Sequence, residues 1–294
     1  MTMPLADDID IFCGHVTQHS ARVYARLNDR PGGGEWSISG HVRGPFCMGV
    51  RTLPLTASLQ DMGEGETLLA SCAIPDPSAW TPLSPSHYVV RVDLRRNGEL
   101  QESIERQLGI RTLGARGRDL RWQAKRWVLR GICVAEEAIG DLEQWRQHNA
   151  IPVVSSPTEV LLEQASDQGP LLAVELGIDA NAAELRRLSE FPAVGMAILH
   201  TSCDNASNLN SLAPNILFAQ ATQVGDAAPA EWADFLLCDA KSPDQLREQV
   251  ATSSLPIVAV RRVAKHGSFL DNRAECDRLQ RDLAAIGDFA GYVV

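Results

Sequence analysis

The side chains best equipped for chemistry in this chain are polar residues placed where apolar runs end. Glu136, Glu175, Asp204 and Asp239 each stand at or just after the end of such a run, and His200 and Arg261 occupy the same kind of position. Two carboxylates that meet in one pocket can divide the work of proton donor and of nucleophile or base. A histidine beside them can contact a ligand, and an arginine can hold an anion. Each also has a plainer reading: a solvated loop carboxylate, a local cap, a hydrogen-bonded strand-end histidine or, for Arg261 and Arg262, an ion pair with Asp239. No His/Cys/Asp cluster has ligand spacing, so no metal is expected. Pro31–Gly34 is glycine-rich but lacks the Lys-Ser/Thr of a phosphate loop, and no Gly-x-Ser-x-Gly elbow occurs, so no cofactor is expected.

A parallel sheet must position these residues. Trp127–Ile132, Ile151–Val154 and Leu171–Val174 are apolar runs separated by polar segments of helical spacing, the rhythm of strand–helix–strand. The rhythm continues through Ala193–Leu199, Asn215–Ala219, Asp234–Cys238, Leu255–Val260 and Phe289–Val293. Ser242, Pro243 and Asp244 read as the start of a helix, and Asn272–Ile286 as an amphipathic helix stopped by Gly287. Eight buried strands with intervening helices predict a small, reduced (β/α)8 TIM barrel over residues 121–294; an open doubly wound sheet is the alternative. It is lean: Thr201–Pro214 is rich in Ser, Asn and Asp in place of a full helix, and no helix follows the eighth strand. Both sheet types place ligands at the C-terminal strand ends, where the candidate residues lie.

Residues 1–120 read differently. Ala21–Leu27, Trp36–Val42, Leu68–Ile74, Tyr88–Leu94 and Ser103–Ile110 are short strands, with turn residues at Asp29–Gly34 and a hairpin signal at Asn97-Gly98. Almost no helical pattern interrupts them, which predicts an immunoglobulin-like antiparallel sandwich. Prolines at 75, 77, 82 and 85 predict an irregular crossing between sheets.

The composition limits the partners. The chain has 294 residues with a formal net charge of −10, which gives no electrostatic support for nucleic acid or an anionic membrane as partner. The basic run Arg111–Arg130 reads as a solvated face. No signal peptide or transmembrane run is seen, and the seven scattered cysteines form no CxxC pair. A cytoplasmic protein with free thiols is the expectation.

Several motifs resemble those of glycoside hydrolase family 2, the β-galactosidase and β-glucuronidase family. Trp80, Pro82, Pro85 and Tyr88 match a W-x-P-x-x-P-x-L-Y segment, with His87 at the leucine. Leu108–Arg111 is similar to F-G-[FI]-R. Asp119–Ile132 resembles the lead-in to the family's barrel, with Lys125, Leu129, Arg130 and Gly131 matching, Gln123-Ala124 in place of Asn-Gly and Cys133 in place of Asn. Asn149-Ala150 and Asp167–Glu175 continue the match in order. The resemblance implies an immunoglobulin-like domain followed by a barrel. It also implies where the catalytic carboxylates would fall, and there the chain departs. Asn205 holds the acid/base position and Arg261 the nucleophile position. An amide cannot protonate a leaving group, and a guanidinium cannot attack an anomeric carbon.

The expectation is therefore a truncated, degenerate relative, with the family's N-terminal jelly roll absent and no catalytic pair. Such a pseudoenzyme would bind a saccharide or another small ligand, or a protein partner. An active O-glycosidase with relocated carboxylates such as Glu175 and Asp204, or a structural subunit, is the alternative.

Overall fold

The computed structural model describes residues 8–178, 180–200, 209–222, 229–262 and 267–294. The chain divides into two compact units: Met1–Arg111 with Ala182–Pro192 and Leu212–Asn215, and Thr112–Asn181 with Ala193–Ser211 and Ile216–Val294. Among the described residues, no helix is long and apolar enough to cross a membrane.

The first unit holds strands β1 (Ile9–Val16), β2 (Ser20–Leu27), β3 (Trp36–Phe46), β4 (Leu55–Asp61), β5 (Leu68–Pro75), β6 (Trp80–Thr81), β7 (Ser84–Pro85), β8 (His87–Arg96) and β9 (Glu99–Leu108). The main sheet runs β1-β2-β5-β4-β3-β8-β9. Strand β4 joins its two halves, pairing with β3 through Leu55–Leu59 and with β5 only at Gln60 and Asp61. Alternate residues of both halves meet in one core, including Val23, Leu27, Ile38, Leu68, Ile74, Tyr88, Val92 and Ile110. The Asn97-Gly98 hairpin forms, both residues taking positive φ (50° and 85°) as a type I′ turn requires. The proline-rich segment is an irregular crossing anchored by fully buried Trp80 and Tyr88, and the Tyr88 hydroxyl accepts from the Ser78 N–H at 2.9 Å. Strands β1 and β4 escaped the sequence pattern, because β1 is buried only at its start and β4 mixes small and polar residues.

Arg111 closes this unit. Its guanidinium donates to the carbonyls of Pro192 and, at 2.7 Å, of Asn215. Burial pushes its pKa down to about 10, opposed by nearby Cys13. The segments at 182–192 and 212–215 thus belong to the sandwich unit, although in chain order they fall between later strands.

The second unit begins with a three-stranded sheet, β10 (Leu113–Arg116), β11 (Asp119–Trp122) and β12 (Lys125–Arg126). Eight strands then form a closed parallel barrel: β13 (Leu129–Cys133), β14 (Ile151–Ser155), β15 (Leu172–Glu175), β16 (Val194–His200), β17 (Leu217–Thr222), β18 (Phe235–Asp239), β19 (Ile257–Val260) and β20 (Gly291–Val293). Each overlaps one of the apolar runs in the sequence. This unit's helices are α1 (Leu142–Gln147), α2 (Glu159–Gln168), α5 (Pro243–Thr252) and α6 (Phe269–Leu283); α3 (Ala182–Ser189) belongs to the first unit, and α4 (Leu209–Leu212) ends where that unit's Leu212–Asn215 segment begins. Helix α6 starts three residues before the sequence expectation. Ser268 and Asp271 form a capping box there, each side chain bonding the other's backbone N–H.

One departure from the family motif acquires a physical meaning. Gln123 and Ala124 form the two-residue turn between β11 and β12, and both have positive φ (50° and 62°). Asn-Gly suits such a turn, whereas Gln and Ala resist it by roughly 1–2 kcal/mol per residue. The double change Gln123→Asn, Ala124→Gly is expected to raise unfolding stability by about 1–2 kcal/mol, since part of the relief is offset by glycine's flexibility in the unfolded chain. Urea unfolding checks this; an unchanged or lower midpoint contradicts it.

Candidate site at the barrel mouth

Parallel partners in register point to the same side of a sheet, so one residue of known direction fixes the rest. Gly131 faces the barrel interior: a Cβ placed on it would meet Val293 at 2.8 Å and Val153 at 3.1 Å. Following the pairing around the ring, Val153, Ala173, Met196, Ile198, Ala219, Phe235, Leu237, Val258 and Val260 share that side. At the C-terminal ends the same rows lead to Cys133, Ser155, Glu175, His200 and Asp239. Two residues beyond Val260, Arg262 continues the inward row of β19.

These residues form a connected polar group. The Arg262 guanidinium donates to Glu175 Oε1 and approaches Cys133 Sγ at 3.9 Å. His200 Nε2 lies 3.7 Å from Glu175 Oε1. Glu175 is the most enclosed of these, its side chain 16% exposed, against 37% for His200 and 49% for Arg262. Burial works to lower the pKa of Arg262, but the hydrogen bond it donates to Glu175 and the nearby charges of Cys133, Glu175 and Asp239 outweigh burial and hold it above the ordinary value. Burial raises the Cys133 thiol, which Arg262 only partly offsets, so Cys133 is protonated and a poor nucleophile at neutral pH.

The other candidates take different positions. Asp239 faces the mouth but accepts the Lys241 N–H at 2.9 Å, as a local turn cap does. Glu136 accepts from the Thr158 N–H at 2.8 Å and from the Thr158 hydroxyl. Thr158 is the N-cap of α2, so Glu136 secures a helix start. Arg261 is turned outward to α6, pairing with Asp282 at 2.8 Å and Glu275 at 3.7 Å. Asp204 and Asn205 lie outside the described residues. The cation brought to Glu175 is Arg262, one residue beyond the position singled out in the sequence. The two-residue period of β19 carries that signal, since an inward Val258 requires an inward residue at 262.

Residues 16–111 match the family model Glycosyl hydrolases family 2. No curated protein matches the sequence. Among solved structures, the chain is similar to β-glucuronidase 2 of Bacteroides uniformis (15% identity, TM-score 0.58, covering 97% of this chain and 45% of that one). It is similar to the β-D-glucuronidase of Dictyoglomus thermophilum (12%, 0.59, 97% and 61%). It is also similar to the β-glucuronidase of Parabacteroides merdae (12%, 0.60, 97% and 46%). The fold is that of these β-glucuronidases. The chain spans only 45% to 61% of the length of these structures, so what their sites do is not carried across with the fold.

The Glu175–Arg262 pair is asymmetric in burial, which predicts asymmetric mutants. Arg262→Ala leaves a mostly buried carboxylate without its guanidinium and is expected to cost about 1–3 kcal/mol. Glu175→Gln keeps an acceptor for a half-exposed arginine and is expected to cost less than about 1 kcal/mol. Urea unfolding of both checks the order, and a larger loss for Glu175→Gln contradicts it.

Proposed function

We propose that this chain is a family 2-like protein whose barrel mouth binds a saccharide, or a similar polyhydroxylated ligand, without hydrolysing it. The observation that carries this reading is the Glu175–Arg262 pair. A retaining glycosidase needs two carboxylates about 5–5.5 Å apart, one free to attack the anomeric carbon and one to protonate the leaving oxygen. Glu175 is the carboxylate best placed on the inward row. The oxygen it would use is engaged by a guanidinium, so a sugar would compete with Arg262 for it. The sequence adds an amide at Asn205 and an outward arginine at Arg261 where the resemblance would put the acids. A mouth with an arginine, a histidine, a serine and two carboxylates offers donors and acceptors of the kind that fix sugar hydroxyls.

A second reading is an active hydrolase with relocated carboxylates. It is favoured by one feature, that Glu175 and Asp239 share the inward face. The likeness to β-glucuronidases makes β-glucuronides the first probes. With p-nitrophenyl β-D-glucuronide and β-D-galactoside, no turnover above background is expected. Calorimetry with the same glycosides should detect binding, weakened about tenfold or more in Arg262→Ala, the equivalent of one charge-assisted hydrogen bond. Turnover that disappears in Glu175→Gln would falsify the non-hydrolytic reading. Neither binding nor turnover with any glycoside tested would remove the saccharide.

A further inference from the structure

Exposed apolar side chains are unevenly placed on the barrel unit. Among its described residues, three large ones are exposed: Val160 (60%), Ile178 (73%) and Leu270 (58%). Each stands past the C-terminal end of a barrel strand. Val160 is the second residue of α2, which follows β14. Ile178 lies three residues beyond Glu175, which ends β15. Leu270 is the second residue of α6, which follows β19. Strands β19, β20, β13, β14 and β15 are consecutive in the closed ring. The same arc supplies Arg262, Cys133, Ser155 and Glu175 to the mouth.

Packing of the helices does not call for apolar residues at these positions. The first turn of α6 is seated by Phe269, whose ring meets Trp145 of α1 edge-on at 4.9 Å, while Leu270 beside it stays in water. The first turn of α2 is seated by Leu161 and Leu162, both buried. Its N-cap Thr158 is tied to Glu136, three residues past the end of β13, so Val160 is held close to the mouth. A single exposed valine or leucine needs no explanation, and three scattered over the unit would need none. Here all three lie on one rim, and among the described residues no large apolar side chain is exposed at the opposite end of the strands. A polar floor inside an apolar rim suits a ligand that is itself divided into a hydroxylated part and a hydrocarbon part.

We propose that the ligand of this mouth is an amphiphilic glycoside, with its sugar held by Arg262, Glu175 and His200 and an alkyl tail laid against Ile178, Val160 and Leu270. This rests on the saccharide reading above and adds what the sugar is attached to. Each methylene fully removed from water tightens binding about fourfold, so even partial burial of a long tail is measurable. The test is calorimetry with methyl and octyl β-D-galactoside and β-D-glucuronide, the octyl compounds below their micelle concentrations, and with octanol. The octyl glycosides are expected to bind about tenfold tighter or more than the methyl ones. The double change Ile178→Ser, Leu270→Ser should shrink that ratio to about twofold, with the melting temperature unchanged. Leu83→Ser, at an exposed leucine of the sandwich unit, should leave the ratio as it is. Equal affinity for methyl and octyl glycosides overturns the tail and leaves the saccharide reading standing. A ratio indifferent to the rim variant also overturns the tail. Octanol bound as tightly as the octyl glycosides, with no methyl glycoside bound, overturns both, as does no binding of any of them.

Discussion

Closure of a ring of parallel strands sets which side chains reach its axis, and the rest of the second unit follows from that constraint. Each strand must agree in phase with both neighbours, and the last must agree with the first. Gly131 is one of its tight points, where Val293, Val153 and Leu129 leave no room for a Cβ. A one-residue slip of β13 would turn Arg130 inward. Outside, Arg130 has partners it could not keep: Asp277 at 3.3 Å, Gln280, and the Tyr292 ring 5.0 Å away. Arg261 is held outside in the same way by α6. The arginines on the outer wall therefore resist slippage as strongly as the apolar rows within, because an unpaired guanidinium inside the barrel would be costly.

In the sandwich unit the governing problem is the strand edge. A sheet that ends must offer its last backbone groups to something. Asn215 does this for β1 with one side-chain amide. Arg111 in turn donates to the Asn215 carbonyl, so the cap on β1 and the closure of the unit share one residue. Charge does the work on β9. Strand β4 needs no such device, because it lies between β3 and β5 and pairs with both.

The barrel was legible from the sequence because its strands are buried on both faces, which leaves short apolar runs with clear ends. The hairpin at Asn97-Gly98 was legible because few residue pairs tolerate its backbone. The charge-rich strand β9 was only partly visible, and β4 was missed, since half-exposed strands lack the apolar excess that marks a core strand. The mouth was legible in outline. Glu175, His200 and Asp239 do lie on one inward row. Glu136 looked the same in sequence, and nothing local announced that Thr158, twenty-two residues on, would claim both its oxygens. The phase of Arg261 and Arg262 follows from the two-residue alternation, but only once Val258 is known to point inward.

That phase bears directly on chemistry. The same barrel mouth can host a nucleophile or silence one, depending on which side chain the seventh strand delivers. In this chain the residue delivered is Arg262, and its guanidinium lies against the acid at the end of the third strand. The ion pair is half open to water, so it adds little to stability compared with the packing beneath it. Its effect is on the site. A bound sugar could draw hydrogen bonds from Arg262 and His200 while Glu175 remained neutralised, whereas attack at an anomeric carbon would first require that carboxylate to be freed. On the proposed reading, an arginine in this position favours holding a polar ligand over cleaving one.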